Sequence, residues 1–515
     1  MLFNSLAFVF LFLPVTLAGY YLLIRLGLRQ WIFLFLVLAS LVFYAVWNPP
    51  YVLLLIASVL GNYLFGLWID HARDRGPGRI LALGVVANLA VLGWFKYANF
   101  FVENINAFGG SYHLERIILP LAISFYTFQQ IAFLADVARN QVRPGGIWRY
   151  ATFVIFFPQL IAGPIVHYKE MMPQFFGRDL GRFWTANLTI GLAIFAIGLF
   201  KKTVIADSAA VHATPIFDAA LAGAEVGLVE GWTAALTYTV QLYFDFSGYS
   251  DMAIGLARMF GIRLPVNFHS PLRAASIIDY WRRWHITLQQ FIVSYMYQPL
   301  VLPLSRLAAT WKLGKWPTFA LTVAVPTVVL FVVIGLWHGA AWTFVLFGLM
   351  HGTYLAVNEL WRALRRKSRR KAPPPPSSMI LYHAITLVAV IFANVMFRAE
   401  TPGTAVAVWA GMLRLDEVAQ LAGMLLPASP ADLLREPGLL LVVSAALIFL
   451  FPNTQQIMGR YNPILHWRRW KKVAPPVVRF QWRLTLGWSI ATGVALFLGV
   501  AFILRSQSEF IYFNF

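Results

Sequence analysis

The stretch Thr318–Gly339 reads TFALTVAVPTVVLFVVIGLWHG. Its first twenty residues carry no charge, and about 20 mainly apolar residues are what a helix needs to cross a bilayer. The run closes on a histidine and a glycine, which sets an ionisable ring at the end of a membrane span. Comparable segments lie at Leu6–Ile24, Trp31–Trp47, Tyr51–Ile69, Ile80–Ala98, Ile117–Ala135, Asn187–Ile205, Gly231–Ala257, Ala341–Leu360, Ile380–Phe397, Gly438–Phe451 and Leu484–Leu504. The sequence therefore predicts an all-α polytopic membrane protein with about twelve transmembrane helices.

Composition agrees. Charged residues make up 12% of the 515-residue chain, half the roughly 25% of a soluble domain. The chain is 59% hydrophobic with a mean hydropathy of +0.67. An ordinary soluble enzyme, a disordered chain and a secreted repeat array are excluded. The absence of cysteine removes disulfides, thiolate metal ligands, a thiol nucleophile and cysteine lipidation. The net charge of +20 does not point to nucleic acid, because the basic residues sit in short stretches between apolar segments and no binding motif accompanies them.

Those charges orient the spans. Arg362–Lys371 holds seven basic residues and no acid, and Arg460–Arg483 holds another seven. Asp207–Glu230 has four acids and neither Lys nor Arg, and Arg398–Pro437 is acid-rich. The positive-inside rule places the basic loops in the cytoplasm and the acidic loops outside. Twelve spans then put both termini outside. The first span has no basic residue before Arg25, so it reads as a retained anchor rather than a signal peptide.

Two apolar stretches do not read as spans. Phe153–Val166 contains Pro158, Gly163 and Pro164, which break a helix. Ile286–Leu304 has Arg282 and Arg283 before it and Arg306, Lys312 and Lys315 after it, so both flanks read as cytoplasmic. Re-entrant backbone survives in a membrane only when buried in protein or lining a watery cavity, so the pair predicts a central chamber. A proline-rich linker at 372–378 divides a membrane core, 1–371, from C-terminal helices, 379–515.

Ionisable groups inside membrane segments are functional candidates. His338 ends an apolar run and precedes Gly339. On a continuous helix, Trp281, Trp284, His285 and Leu288 share a face. An aromatic belt with a hydrogen-bonded histidine is the competing reading. His351, thirteen residues beyond His338, would stand about 20 Å further along one continuous helix, which favours a packing role. Asp245 and Asp251 read as partners of an internal Arg or of backbone donors. The chain lacks a His-x4-Asp signature, a Gly-x-Ser-x-Gly elbow, a Walker A loop and a His-Glu-x-x-His zinc helix, and no metal site is expected.

Four motifs in combination resemble the membrane-bound O-acyltransferase (MBOAT) family: Phe157-Pro-Gln-Leu-Ile-Ala-Gly-Pro164, Phe244-Asp-Phe-Ser-Gly-Tyr-Ser-Asp251, Tyr280-Trp-Arg-Arg-Trp-His285 and Leu336-Trp-His-Gly339. The likeness is to the bacterial branch of alginate O-acetylases and teichoic acid D-alanyl transfer proteins. The tail, with Phe397-Arg-Ala-Glu400 and Phe510-Ile-Tyr-Phe-Asn-Phe515, looks alginate-acetylase-like. The resemblance implies a multi-helix enclosure with a cavity reached from both membrane sides, an essential histidine at His338 and a second catalytic position at His285. Trp337, Trp281, Trp284, Arg282, Arg283, Tyr243, Asp245 and Tyr249, within these motifs or next to them, are the candidate substrate-binding residues.

Acyl transfer from a thioester needs a base for the acceptor hydroxyl and a donor for the oxyanion. An imidazole with an unperturbed pKa of roughly 6.5 suits the base, so His338 is read as base and His285 as its positioning or oxyanion-side partner. No cofactor is expected to be bound; acetyl-CoA is the donor substrate, drawn by Arg282 and Arg283. The expected acceptor is external: a periplasmic SGNH (serine-hydrolase-like) acetyltransferase serving an exopolysaccharide biosynthesis complex. A transporter or flippase of an acyl or polysaccharide intermediate is the alternative, and a non-catalytic scaffold a third reading.

Overall fold

The computed structural model describes residues 1–177, 180, 181, 184–365, 375–418, 437–505 and 511. These residues form helices and connecting segments, with no strand among them. We label the principal helices α1 (Phe8–Arg25), α2 (Arg29–Ala45), α3 (Pro50–His71), α4 (Gly78–Ala107), α5 (Ile123–Ala138), α6 (Trp184–Leu221), α7 (Leu228–Met259), α8 (286–310), α9 (Lys315–His338), α10 (Trp342–Arg365), α11 (Pro376–Arg398), α12 (Gly438–Phe449) and α13 (Leu486–Arg505). Each apolar segment expected from the sequence overlaps one of them.

Among the described residues seven helices are long and apolar enough to cross a membrane: α1, α3, α4, α6, α9, α11 and α13. The helices α2 and α12 are apolar but shorter. The helices α5, α7 and α10 account for the rest of the expected twelve. α7 is buried along most of its length and carries Asp245 and Asp251; α5 is buried on nearly every side. α10 buries one face, which includes His351. Protein rather than lipid surrounds much of these helices, so polar side chains with protein partners are tolerated there.

The centre is the antiparallel pair α6–α7, held by two glycines on each helix seven residues apart. A Cβ on Gly191 would lie 2.6 Å from Gly255 O, and one on Gly198 would lie 2.7 Å from Gly248 O. Small residues let membrane helices approach backbone to backbone in this way. Behind that pair the expected break at Phe153–Val166 is present. Helix Ile147–Ile155 stops, one turn follows at Phe157–Leu160, and the chain through Val166 is buried. Side-chain hydroxyls partner its backbone: Ser40 Oγ accepts from Phe157 N at 3.1 Å and Thr287 Oγ1 from Ile165 N at 3.0 Å.

The second non-span is a helical rod rather than broken backbone. α8 runs from 286 to 310 through a π turn at Val293–Tyr297 and pairs antiparallel with α9, where the Tyr297 hydroxyl meets Thr322 O at 3.3 Å. Its flanks share one end of the bundle, since Lys315 Nζ reaches Ala363 O at 3.5 Å and Arg282 lines a cavity with Arg362 and Arg365. His285 is therefore the tip of a segment that enters the bundle and returns.

Charge separates the two ends of α11. At one, Arg365 donates to the Tyr382 hydroxyl at 3.0 Å. At the other, Arg398 stands 3.8 Å from Asp218 and Arg414 pairs with Glu225 at 2.9 Å. The acidic segments thus meet each other at the end opposite Arg362 and Arg365. The 372–378 linker and the 362–371 basic run lie partly, and the closing 510–515 motif almost wholly, outside the described residues.

Candidate active site

Helix α9 stops at His338 because Gly339 takes an extended conformation, φ −161°. Glycine is needed at that point by packing: a Cβ there would collide with the Phe344 ring. The chain reverses and α10 returns along α9 so closely that a Cβ on Gly352 would lie 2.8 Å from Val328 Cα. The continuous helix that separated His338 from His351 in the sequence reading does not exist. Both rings touch Phe347, with centroids 6.3 and 4.6 Å away.

His285 arrives from the other side. The expected helix through Trp281–Leu288 is interrupted: Ile277–Trp281 ends, and His285 adopts a left-handed backbone, φ +46°, before α8 begins. Such a conformation is uncommon for a non-glycine residue and is found at functional sites. The interruption sends the shared face in three directions. Trp281 Nε1 donates to His351 Nδ1 at 3.2 Å, Trp284 packs on Phe268 at 4.9 Å, and His285 turns to Asn267. Asn267 Oδ1 stands 3.1 Å from His285 Nδ1 and also accepts from Thr287 Oγ1 at 2.9 Å and Thr287 N at 3.4 Å. A backbone N–H can only donate, so the atom facing it is the amide oxygen. His285 Nδ1 must then carry the proton, and in the neutral ring Nε2 is the lone-pair nitrogen.

The indole of Trp337 lies between the two histidines, its centroid 6.2 Å from His285 and 4.9 Å from His338. Phe128 stacks on it at 5.2 Å. The indole is buried, and its Nε1–H has no hydrogen-bond partner among the described residues. His285, His338 and His351 are 1%, 4% and 1% exposed, so all three belong to the interior.

The remaining candidates scatter. Tyr243 packs on Trp284 at 6.4 Å. Arg282 is exposed and lines a cavity of about 780 Å³ with Arg362, Arg365, Asn358 and Tyr382. Arg283 is held by Asp279 through contacts of 2.9 and 2.6 Å. Asp245 pairs at 2.7 Å with buried Lys202, which pairs at 2.7 Å with Asp207 as well. Asp251 pairs with Lys201 at 2.7 Å, so lysines stand where the sequence suggested an arginine, while the backbone donor it offered as the alternative is present at Asp245, which accepts from Ile511 N at 3.1 Å. Tyr249 stacks on Phe3 at 4.8 Å, in the packing around the N-terminus.

Sequence reading did not single out Lys96 or Asn267. Lys96 Nζ donates to the carbonyls of Trp337 and His338, the latter at 3.2 Å, and lines a small chamber with His338, Trp337, Ala122 and Ala162. A charged residue inside the apolar run Ile80–Ala98 was the available signal. A second large cavity, about 640 Å³, sits at the acidic end and is lined by Arg116, Gln241, Thr343, Phe397, Arg398 and Glu400, among others. Phe397 connects it to the site, its ring 5.4 Å from His338.

A family model for MBOAT, the membrane-bound O-acyltransferase family, matches residues 79–397, which include Lys96, Asn267, His285 and His338. The chain belongs to this family and is a multi-pass membrane O-acyltransferase. It is similar to bacterial proteins named for O-acetyl or D-alanyl transfer. A peptidoglycan O-acetyltransferase of Helicobacter pylori is 42% identical over 81% of this chain and 81% of its own. A probable alginate O-acetylase of Pseudomonas putida is 35% identical over the full length of both. A teichoic acid D-alanyltransferase of Lacticaseibacillus rhamnosus is 23% identical over 61% of this chain and 76% of its own.

Proposed function

We propose that the protein takes acetyl groups from acetyl-CoA at its basic end and delivers them at the opposite end for O-acetylation of an extracellular polysaccharide. The observation that carries this reading is the placement of two cavities around the histidines. The 780 Å³ cavity is lined at Arg362 and the 640 Å³ cavity at Thr343, near opposite ends of α10. Nineteen residues of helix separate those two, roughly 28 Å at 1.5 Å per residue. Arg282, Arg362 and Arg365 suit the phosphates of a nucleotide-bearing thioester, since guanidinium matches phosphate geometry.

On this reading the basic end faces the cytoplasm of a bacterial inner membrane and both termini face the periplasm. His338 takes the proton of the acceptor hydroxyl. His285 holds the reactants through Nε2, and the unpaired Trp337 N–H is available to an oxygen of either substrate. The acceptor is a periplasmic SGNH-type acetyltransferase that passes the group to the polymer, and the names of the relatives support a cell-wall or exopolysaccharide glycan as its destination. The 372–378 linker then marks off C-terminal helices that complete the acceptor side.

The test is thiol release by the purified full-length protein given acetyl-CoA and the candidate acceptor in sealed vesicles, each confined to one face. Wild type should release free thiol and acetylate the acceptor across the bilayer, and His338→Gln should do neither while inserting and purifying normally. Near-wild-type turnover in the Gln variant would overturn the base assignment. Acetylation only when both substrates share one face would overturn the relay.

A further inference from the structure

The last turn of a helix leaves four carbonyls without helical partners, and in α9 all four are engaged. Gly335 O accepts from Gly339 N at 3.3 Å. Leu336 O accepts from the Tyr97 hydroxyl at 3.0 Å. The carbonyls of Trp337 and His338 both accept from Lys96 Nζ, the second at 3.2 Å. Two consecutive residues of α4 therefore hold the three terminal carbonyls of the turn that carries His338.

Lys96 contributes more than a cap. Its Nζ also lies 3.5 Å from Ser124 Oγ and 5.8 Å from the Trp337 ring centroid. Three acceptors around one nitrogen match the three donors of an ammonium; a neutral amine has two. None of its partners among the described residues is a carboxylate. Lys201 and Lys202, by contrast, are neutralised by Asp251, Asp207 and Asp245. An ammonium within a membrane-crossing helix, uncompensated by a counter-ion, is costly and marks function. Here it lines the same chamber as His338.

We propose that Lys96 is the electropositive member of the acyl-transfer site: it positions the His338 turn and places a positive charge beside the carbonyl oxygen of the acyl group. This rests on the reading of His338 as base. The acceptor hydroxyl oxygen forms a bond to the thioester carbonyl carbon as its proton passes to the imidazole. The carbonyl oxygen holds the negative charge until the C–S bond breaks and the thiol leaves with that proton. Neutral His285, whose Nδ1–H is committed to Asn267, has no second N–H for that oxygen. The Lys96 ammonium lowers the energy of the charged intermediate without exchanging a proton.

The absence of native cysteine allows a direct test. Lys96→Met should lower kcat by about 10²- to 10³-fold, the scale of losing one group that stabilises the oxyanion, with KM for acetyl-CoA within threefold. In Lys96→Cys, alkylation with 2-bromoethylamine rebuilds a lysine-like ammonium, whereas 2-bromoethanol builds a neutral hydroxyl of the same reach. Recovery with the amine and not with the alcohol is expected, with intact mass confirming each adduct. Equal recovery by both adducts, no recovery by either, or a Met variant within threefold of wild type, would overturn the proposal. If Lys96→Met does not purify folded, the Cys series decides alone. His338→Gln measured alongside separates the two ideas: wild-type turnover there refutes the base, while its loss together with a fully active Lys96→Met refutes Lys96 only.

Discussion

Replacing Asn267 with alanine tests how the His285 ring is held. The amide oxygen receives His285 Nδ1 at 3.1 Å and Thr287 Oγ1 at 2.9 Å, in a site where all three residues are almost fully buried. Without it the imidazole loses the contact that fixes both its orientation and its Nδ1–H tautomer. A buried donor left without its acceptor costs about 1–3 kcal/mol. If that cost falls on the reactive alignment of His285, it converts to roughly 5- to 160-fold in kcat at 1.36 kcal/mol per decade. Thr287→Val removes a donor to the same oxygen, and the acceptor of Ile165 N, without touching the ring, so it should lower thermal stability and leave kcat within about threefold, below the lower end of that range. The assay is thiol release from acetyl-CoA by the purified protein under saturating acceptor. Asn267→Ala turning over within twofold of wild type, while folded, would show that His285 needs no such anchor. Equal kcat losses in both variants would show that the effect is general packing.

Two further outcomes follow from the charges. Lys202→Met strands Asp207 and Asp245 beside each other in the interior and should cost about 3–5 kcal/mol, read as a large fall in thermal stability in detergent; adding Asp207→Asn and Asp245→Asn should restore most of it. For orientation, a single cysteine at position 368 should react with an impermeant thiol reagent only after cells are opened, and labelling of intact cells would reverse the topology.

The sequence made seven of the helices legible because each is a long apolar run, and length with apolarity is enough for that reading. His338 was legible too, since an ionisable ring closing an apolar run stands out against the side chains that lipid tolerates. The surroundings of the site were not. Trp281, Trp284 and His285 share a face only if the helix continues, and the left-handed His285 sends them to His351, Phe268 and Asn267 instead. His351 was placed far from His338 by the same assumption of continuity, which the turn at Gly339 breaks. Lys96 meets His338 across 242 positions of sequence, and no local pattern encodes so distant a contact. The buried Lys202 was hidden for a related reason: Asp207 follows it by five residues in α6, but Asp245 reaches it only through the approach of α6 to α7, which the paired glycines permit.

Two sets of buried or half-buried ionisable groups differ in the kind of partner they have. Lys201, Lys202 and Arg283 face carboxylates; these pairs cancel charge and fasten one segment to another. Around Trp337 the partners are neutral: an amide oxygen for His285, an indole N–H for His351, and peptide carbonyls and a hydroxyl for Lys96. The difference has a chemical consequence. A carboxylate beside a buried imidazole favours the imidazolium, which cannot accept a proton. At His285 the neutral amide fixes the ring and its tautomer while leaving the charge-neutral Nε2 side of the ring able to accept. The same reasoning applies to the ammonium of Lys96, since a carboxylate partner would cancel the field that a developing oxyanion needs. Charge is left unbalanced beside the ring at the end of α9, where an acyl-transfer intermediate would bring its own negative charge.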